Sequence, residues 1–402
     1  MIILVINCGS SSIKYQLLDM KGDSDYSLKA KGLVEKITLP EGRIVHKPSG
    51  KEPFEQILPI PDHTVGMKLV LDALVDPDHG VIGSYDEIQA VGHRIVQGAD
   101  FFEGSCLVDD DVLRKIEICC DFAPLHNPAH LLGIRAMTSV LPKVPQVVVF
   151  DTAFHQTMPD YAYMYALPYD YYTKYHVRRY GAHGTSHQYV SREGARFTGL
   201  DLAHSRIITC HIGNGSSVTA IKDGKCIDTS MGFTPLEGMI MGTRCGNVDC
   251  NVIPYVMKKE NLTPDQMTDI MNKKSGFLGL SGISSDMRDM LAAADEGNPR
   301  AKLVLQKLTY DIVKLIGAYV AVLGGVDLLV FTAGIGENNA FLRKEVCDKL
   351  GWLGVKLDDE ANTHNGQETL VSAADSKVKV ALIPTEEELM IARDTMHIVE
   401  SL

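Results

Sequence analysis

No apolar run in this 402-residue chain reaches the roughly 18–20 residues needed to cross a bilayer, so no membrane-spanning helix is expected. The opening Met1-Ile2-Ile3-Leu4-Val5 has no basic segment before it and runs straight into a strand pattern, which argues against a secretory signal. Positive charge is scarce as well. Lys and Arg number 39 against 51 Asp and Glu, and the net charge of −12 disfavours nucleic acid as a partner. Any anion site must therefore be built locally, from a few placed cations and backbone N–H groups. The nine cysteines show no metal-like pairing: Cys119 and Cys120 are adjacent, and Cys245 and Cys250 are five apart. An odd number without a signal argues for reduced thiols in a cytoplasm, not a disulfide framework. No low-complexity tether interrupts the chain. What is present is 45% hydrophobic and 22% charged residues, a globular composition, in a length that suits two domains.

Residues 5–19, VINCGSSSIKYQLLD, bring a strand into a Gly/Ser turn with Lys14 just beyond it. The turn does not open a helix, because Ile13-Lys14-Tyr15 is rich in β-branched and aromatic residues, and the G-x-x-x-x-G-K-[ST] frame is missing. The pattern predicts a β-hairpin whose turn aims N–H groups and hydroxyls at an anion. Residues 207–222, IITCHIGNGSSVTAIK, repeat the same design. Two such units about two hundred residues apart suggest a duplicated α/β domain, each copy offering one phosphate-gripping hairpin.

Helical signals lie between and after them. Thr263-Pro264-Asp265-Gln266 reads as a capping box, and residues 300–323 carry apolar side chains at helical spacing up to Gly324-Gly325. A buried strand, VDLLVFT, then runs into the Gly-rich turn AGIGENN (333–339), which is expected to open the helix AFLRKEVCDKLG. The chain ends in a strand, VKVALIP, and a helix from Thr385 onward.

Three stretches together, NCGSSSIK (7–14), HIGNGSS (211–217) and TAGIGEN (332–338), resemble the acetate kinase family of the acetate and sugar kinase/actin superfamily. GHRIVQG (92–98), FDTAFH (150–155), RRYGAHGTSH (178–187) and MGTRCGNVD (241–249) support this, in the family's order and over nearly the whole chain. The resemblance implies two actin-like (ribonuclease H-like) α/β domains with mixed sheets flanked by helices and the nucleotide in a cleft. The domains would be 1–150 plus 386–402, and 151–385. It also implies transfer of a phosphoryl group from ATP to a short carboxylate, giving ADP and an acyl phosphate. The metal would be Mg2+, for which Mn2+ can stand in, and the protein a cytoplasmic homodimer.

Phosphoryl transfer needs alignment and charge neutralisation more than covalent help. Arg94 and Arg244 sit in Gly-flanked segments, and guanidinium forks suit carboxylate and phosphate. The resemblance gives Arg94 the substrate and Arg244 the transferring group, and makes His183 a hydrogen-bond donor to the phosphoryl oxygens. His187 reads as structural. Asp151 ends an apolar strand, where α/β folds place their sites. The resemblance makes it a catalytic residue. A carboxylate substrate is already ionised at pH 7, so no base is required, and Asp151 fits better as an orienter of an arginine or a metal-bound water. A plain strand-end cap is the other reading.

By the same resemblance Asn7, Ser10, Ser12 and Lys14 would hold phosphates from one side, and His211, Gly213, Asn214 and Gly215 from the other. Asn7 would also serve the metal. Asp286, Met287 and Arg288 would meet the adenosine, and Gly334, Ile335, Gly336, Glu337 and Asn338 would pass beside it. Asp286 also reads as a helix N-cap. Glu387 has two readings: the metal-linked acid, or an acid in the first turn of a helix capped by Thr385 with Glu388 at the third position. Two departures stand out: Glu386 replaces the family's Asn, and Ala182 replaces a Phe that would wall the substrate pocket with Val96, Leu125 and Pro235. Ala182 leaves room for an extra methylene unless a neighbour fills it, so a weaker preference for acetate over propionate is expected. A propionate-preferring relative, a nucleotide-gated binding protein on the same fold and a sugar kinase are the competing classes. Three cationic or donor groups around a small anion site, beside an apolar trio, argue against the last two.

Overall fold

The opening hairpin forms where the residue pattern places it. Strand β1 (Ile2–Cys8) pairs antiparallel with β2 (Ser12–Met20), Ile3 opposite Leu18 and Cys8 opposite Ile13. In this computed structural model, which describes residues 1–124 and 126–402, the chain forms two compact units. One comprises Met1–Phe154 with Glu386–Leu402, the other His155–Thr385.

The first unit continues with β3 (Tyr26–Glu35), β4 (Gly42–Pro48), β5 (Phe54–Leu58), β6 (Ala90–Ile95), β7 (Cys106–Leu107) and β8 (Gln146–Phe150). They form a mixed sheet ordered β5-β4-β3-β2-β1-β6-β8-β7. One face packs Leu4, Ile6 and Leu17 against Met67, Val70 and Leu71 of the helix His63–Leu74 and Met137 of the helix Asn127–Val140. The helix Glu387–Glu400, the last of the chain, packs on β1, β2, β6 and β8. There Gly92 is required: a Cβ would come within 2.5 Å of Thr395 Oγ1 and 2.7 Å of Ile391 Cγ2.

The second unit holds β9 (Arg206–Ile212), β10 (Ser216–Lys222), β11 (Lys225–Thr229), β12 (Leu328–Thr332), β13 (Thr369–Leu370) and β14 (Lys379–Leu382) in the order β11-β10-β9-β12-β14-β13. Its core joins Ile208, Cys210 and Phe331 of the sheet to Val304, Leu308 and Ile312 of the long helix Pro299–Leu323. The helix Gly184–Thr198 packs on β9, β12 and β14. Three antiparallel strands followed by two parallel ones, β3-β2-β1-β6-β8 in the first unit and β11-β10-β9-β12-β14 in the second, share one topology. The two similar hairpins occupy equivalent positions in it. The fold is thus a duplicated α/β arrangement of mixed sheets flanked by helices.

The capping box at Thr263 is present: Gln266 N–H donates to Thr263 Oγ1 at 3.3 Å and Thr263 N–H to Gln266 Oε1 at 2.9 Å. Thr263→Ala is expected to cost about 1 kcal/mol, read as a lower urea midpoint at unchanged slope.

The structure corrects two local expectations. The last helix starts at Glu387, not under a Thr385 cap. Thr385 is drawn away: its hydroxyl donates to Ser186 Oγ at 2.8 Å and its N–H to Glu337 Oε1 at 3.1 Å. The Gly-rich segment is not a bare turn either. Ala333–Asn338 is itself helical, and Asn339 caps the next helix, Ala340–Lys349, by accepting from Leu342 N–H at 2.9 Å. The cause is Arg343, fully buried, whose guanidinium donates to the carbonyls of Gly336, Glu337, Asn362 and His364. Burial pulls its pKa down to about 10. Arg343 carries no motif; only its inward place beside Leu342, Val346 and Cys347 marks it.

Candidate active site

Each unit assembles part of the expected constellation. In the first, β6 and the end of β8 run parallel, with Arg94 opposite Val149, so the residue after β8 reaches the arginine. Both oxygens of Asp151 lie on the Arg94 guanidinium: Nη2 donates at 2.7 Å, and Nε at 3.1 and 3.2 Å. Asp151 is 1% exposed and the arginine side chain 20%. Asp151 therefore orients Arg94, and Nη1 of Arg94 has no hydrogen-bond partner among the described residues. Burial alone would lower the Arg94 pKa, but the charges of Asp151, Glu387 and Glu388 raise it above its usual value.

Glu387, in the first turn of the last helix, belongs to the same charged group. Burial, then the charges of Asp151 and Glu388, push its carboxyl up to about 7 against the opposing pull of Arg94 and Lys14. Lys14 is exposed on β2, and Asn7 half-buried on β1 opposite it. The turn that carries Ser10 is closed by Gly9 N–H to Ser12 carbonyl at 2.7 Å, and His63 Nε2 donates to the Gly9 carbonyl at 2.8 Å. Val96 is half-buried just past β6. Leu125 lies outside the described residues.

In the second unit, three segments distant in sequence converge on Gly215. A Cβ on Gly215 would lie 3.4 Å from Arg244 Nη1 and 3.5 Å from His183 Nε2. The loop carrying Arg244 is pinned from two sides. Phe277 N–H and Leu278 N–H donate to the carbonyls of Met241 and Gly242, and Gly242 N–H donates to the Asn214 carbonyl. Gly276, at φ +64°, lets that strap approach, since a Cβ would come within 2.1 Å of the Met241 carbonyl.

The Arg244 guanidinium donates to the Pro235 carbonyl at 3.1 Å and, among the described residues, faces no carboxylate. Burial alone lowers its pKa. A partly desolvated guanidinium without an acid is a site for an anion. His183 sits at φ 57°, ψ 24°, a left-handed conformation that a non-glycine residue keeps only when its surroundings enforce it, and it precedes the helix Gly184–Thr198. Its ring stacks on His211 with centroids 4.0 Å apart and donates or accepts at Nδ1 with Ser217 Oγ, 2.8 Å away.

The remaining expected residues divide. Gly213 and Asn214 form the β9–β10 turn, with Gly213 N–H donating to Ser216 Oγ at 3.1 Å. Gly334 and Asn338 are exposed and Ile335 half-buried, but Gly336 and Glu337 are engaged internally: Glu337 Oε1 accepts from Ala333 N–H and Thr385 N–H. Asp286 caps the helix Met287–Asp295, accepting from Arg288 N–H, and it pairs with the exposed Arg288 guanidinium, which holds its carboxyl down at about 2. Met287 is buried in the core of the second unit.

Ala182 does not border open space. It is 4% exposed and packs with the fully buried Met231 and Met241.

The residues' own grouping agrees with similarity to known proteins. A model of the acetokinase family matches residues 2–393. An acetate kinase of Thermoanaerobacterium thermosaccharolyticum is 54% identical over 100% of this chain and 99% of its own length. One of Phocaeicola vulgatus is 55% identical over 98% and 99%. Among solved structures, Porphyromonas gingivalis acetate kinase superimposes with a TM-score of 0.94 at 47% identity, covering 99% of both chains. A propionate kinase from Francisella tularensis does so at 0.90 and 40%, covering 98% of this chain and 99% of its own. This chain belongs to the acetokinase family.

Proposed function

We propose that the protein transfers the γ-phosphoryl group of ATP to acetate, reversibly and by direct in-line attack, giving acetyl phosphate and ADP. The observation that carries this reading is the convergence of Arg244 Nη1 and His183 Nε2 on the glycine surface at Gly215, where no acid neutralises the cation among the described residues. A planar cation and an imidazole aimed at one small bare patch suit the equatorial oxygens of a transferring phosphoryl group. Arg94, held rigid by Asp151, would take the acetate carboxylate. Acetate is ionised at neutral pH, so Asp151 has no proton to remove and serves by orientation. The phosphates of ATP would lie against Ser10, Ser12 and Lys14, and against His211, Gly213 and Asn214. Gly334, Ile335 and the Asp286–Arg288 segment would border the base and ribose.

A divalent cation fits the acids of the first unit. Burial, with the charges of Asp151 and Glu388 added to it, drives the Glu387 carboxyl up to about 7, and hard oxygen donors suit Mg2+. Mg2+ usually keeps several waters and takes few protein ligands. Glu387 and Asn7 would hold it, largely through water. Bound there, Mg2+ supplies positive charge to the phosphate oxygens. The two structural units would be the duplicated actin-like domains, and a cytoplasmic homodimer completes the proposal.

Trapping acyl phosphate with hydroxylamine, in the presence of ATP and Mg2+, tests the reaction. Acetate should yield hydroxamate, with kcat/KM for propionate about 10- to 100-fold lower, because Ala182 is nearly buried against Met231 and Met241. Absence of hydroxamate with every short acid would overturn the reading, and equal rates for both acids would overturn the pocket argument.

A further inference from the structure

His183 does not stand alone: its Nδ1 is the end of a buried chain of hydrogen bonds. Ser217 Oγ lies 2.8 Å from His183 Nδ1 and 2.7 Å from His187 Nε2, and His187 Nδ1 lies 2.7 Å from Thr209 Oγ1. Ser217, His187 and Thr209 are all 0% exposed. One serine hydroxyl has a single proton, so it donates to one imidazole and accepts from the other. The proton positions along the chain are therefore coupled, and only two arrangements exist.

In one, Thr209 O–H donates to His187 Nδ1, His187 Nε2–H donates to Ser217, and Ser217 O–H donates to His183 Nδ1. In the other, every donor and acceptor is reversed. Thr209 decides between them. Its hydroxyl has no hydrogen-bond partner other than His187 among the described residues, so the reversed chain would strand a buried O–H without an acceptor. Full burial also keeps His187 neutral, with one donor and one acceptor nitrogen, as either chain demands.

We infer that Ser217, directed by His187 and Thr209, is a positioning residue that fixes His183 as a neutral imidazole with its proton on Nε2, the atom facing Gly215. A second proton on His183 would require the whole chain to reverse. This rests on the reading that Nε2 of His183 meets the phosphoryl group, for which the Nε2–H tautomer is the required donor. The parallel link on the stacked ring has the same sense: Thr385 O–H donates to Ser186, whose own proton is left for His211 Nδ1.

The tautomer can be read directly. Long-range proton–nitrogen NMR of the nitrogen-15 histidine-labelled, ligand-free protein, assigned with His183→Gln, should show His183 protonated on Nε2. In Thr209→Val, which keeps the branched shape, and in Ser217→Ala, that signal should change to a mixture. Ser217→Ala should lower kcat about 10- to 100-fold with KM for ATP little changed, the usual size of losing a group that orients a reacting side chain. Thr209→Val should lower it less. Protonation on Nδ1 in the wild-type protein, or a kcat and tautomer unmoved in both variants, would overturn the inference. An Nε2–H signal in a protein that forms no acyl phosphate would instead count against the kinase reading alone.

Discussion

Arg244→Ala should lower kcat about 10²- to 10³-fold while leaving KM for ATP nearly unchanged, because the guanidinium is aimed where charge redistributes during transfer. The same substitution should leave the thermal midpoint equal to, or slightly above, that of the wild type. Arg244 is partly desolvated, its pKa is lowered by burial, and among the described residues it has no acid to repay that loss. Removing it relieves a cost of folding and removes an asset of catalysis. The combination separates a functional arginine from a structural one, whose loss would lower both quantities. Arg244→Lys should recover little, since an ammonium cannot hold the Pro235 carbonyl and present a planar fork together. A wild-type kcat in the alanine variant would remove Arg244 from the mechanism.

Arg94→Ala should behave in the opposite way on stability. It strips the partner from Asp151, which is 1% exposed, and leaves the acids of Asp151, Glu387 and Glu388 together. Breaking a buried pair from one side costs about 3–5 kcal/mol, and KM for acetate should rise steeply as well. The stability loss carries a pH signature. The Glu387 carboxyl is already raised from 4.5 to about 7, and Arg94 is a group holding it down, so the variant raises it further. A carboxyl whose folded pKa is raised adds stability that is fully present below about pH 4.5 and is lost as pH rises through the folded value. The deficit of Arg94→Ala, measured without divalent metal, should thus be largest above pH 7 and shrink on acidification. A double variant with Asp151→Ala should regain part of the stability and none of the activity. A pH-independent deficit would show that the acids are not coupled to Arg94.

Much of the fold is legible in the sequence because it depends on neighbours in the chain. Both hairpins follow from apolar strands broken by Gly/Ser turns, and the Thr263 cap and the Pro299–Leu323 helix follow from local chemistry. Asp151 is placed beyond β8 by the apolar run before it. The misreadings come from side chains, near and far along the chain, that compete for local groups. Thr385 has the right sequence to cap a helix, but Ser186 and Glu337 claim its hydroxyl and its N–H. The Gly-rich segment winds into a helix because Arg343 gathers its carbonyls. At Ala182 the sequence shows a small side chain but not that Met231 and Met241 pack against it. In the site, residue types and motif order point to Arg94, His183 and Arg244, yet spacing says nothing of the Ser217–His187–Thr209 chain behind His183, which exists only in three dimensions.

The helix Glu387–Glu400 covers a sheet whose strands all lie within the first 154 residues. During synthesis that sheet waits for its cover while the 231 residues of the second unit emerge, roughly 10 to 50 s at about 5–20 residues per second. For that interval the surfaces that later receive Leu389, Ile391 and Met396 stay wet and sticky. The newborn front half is thus a natural client for chaperones, and a ribosome that stalls before residue 386 releases a chain whose earliest-made sheet has no means of finishing itself.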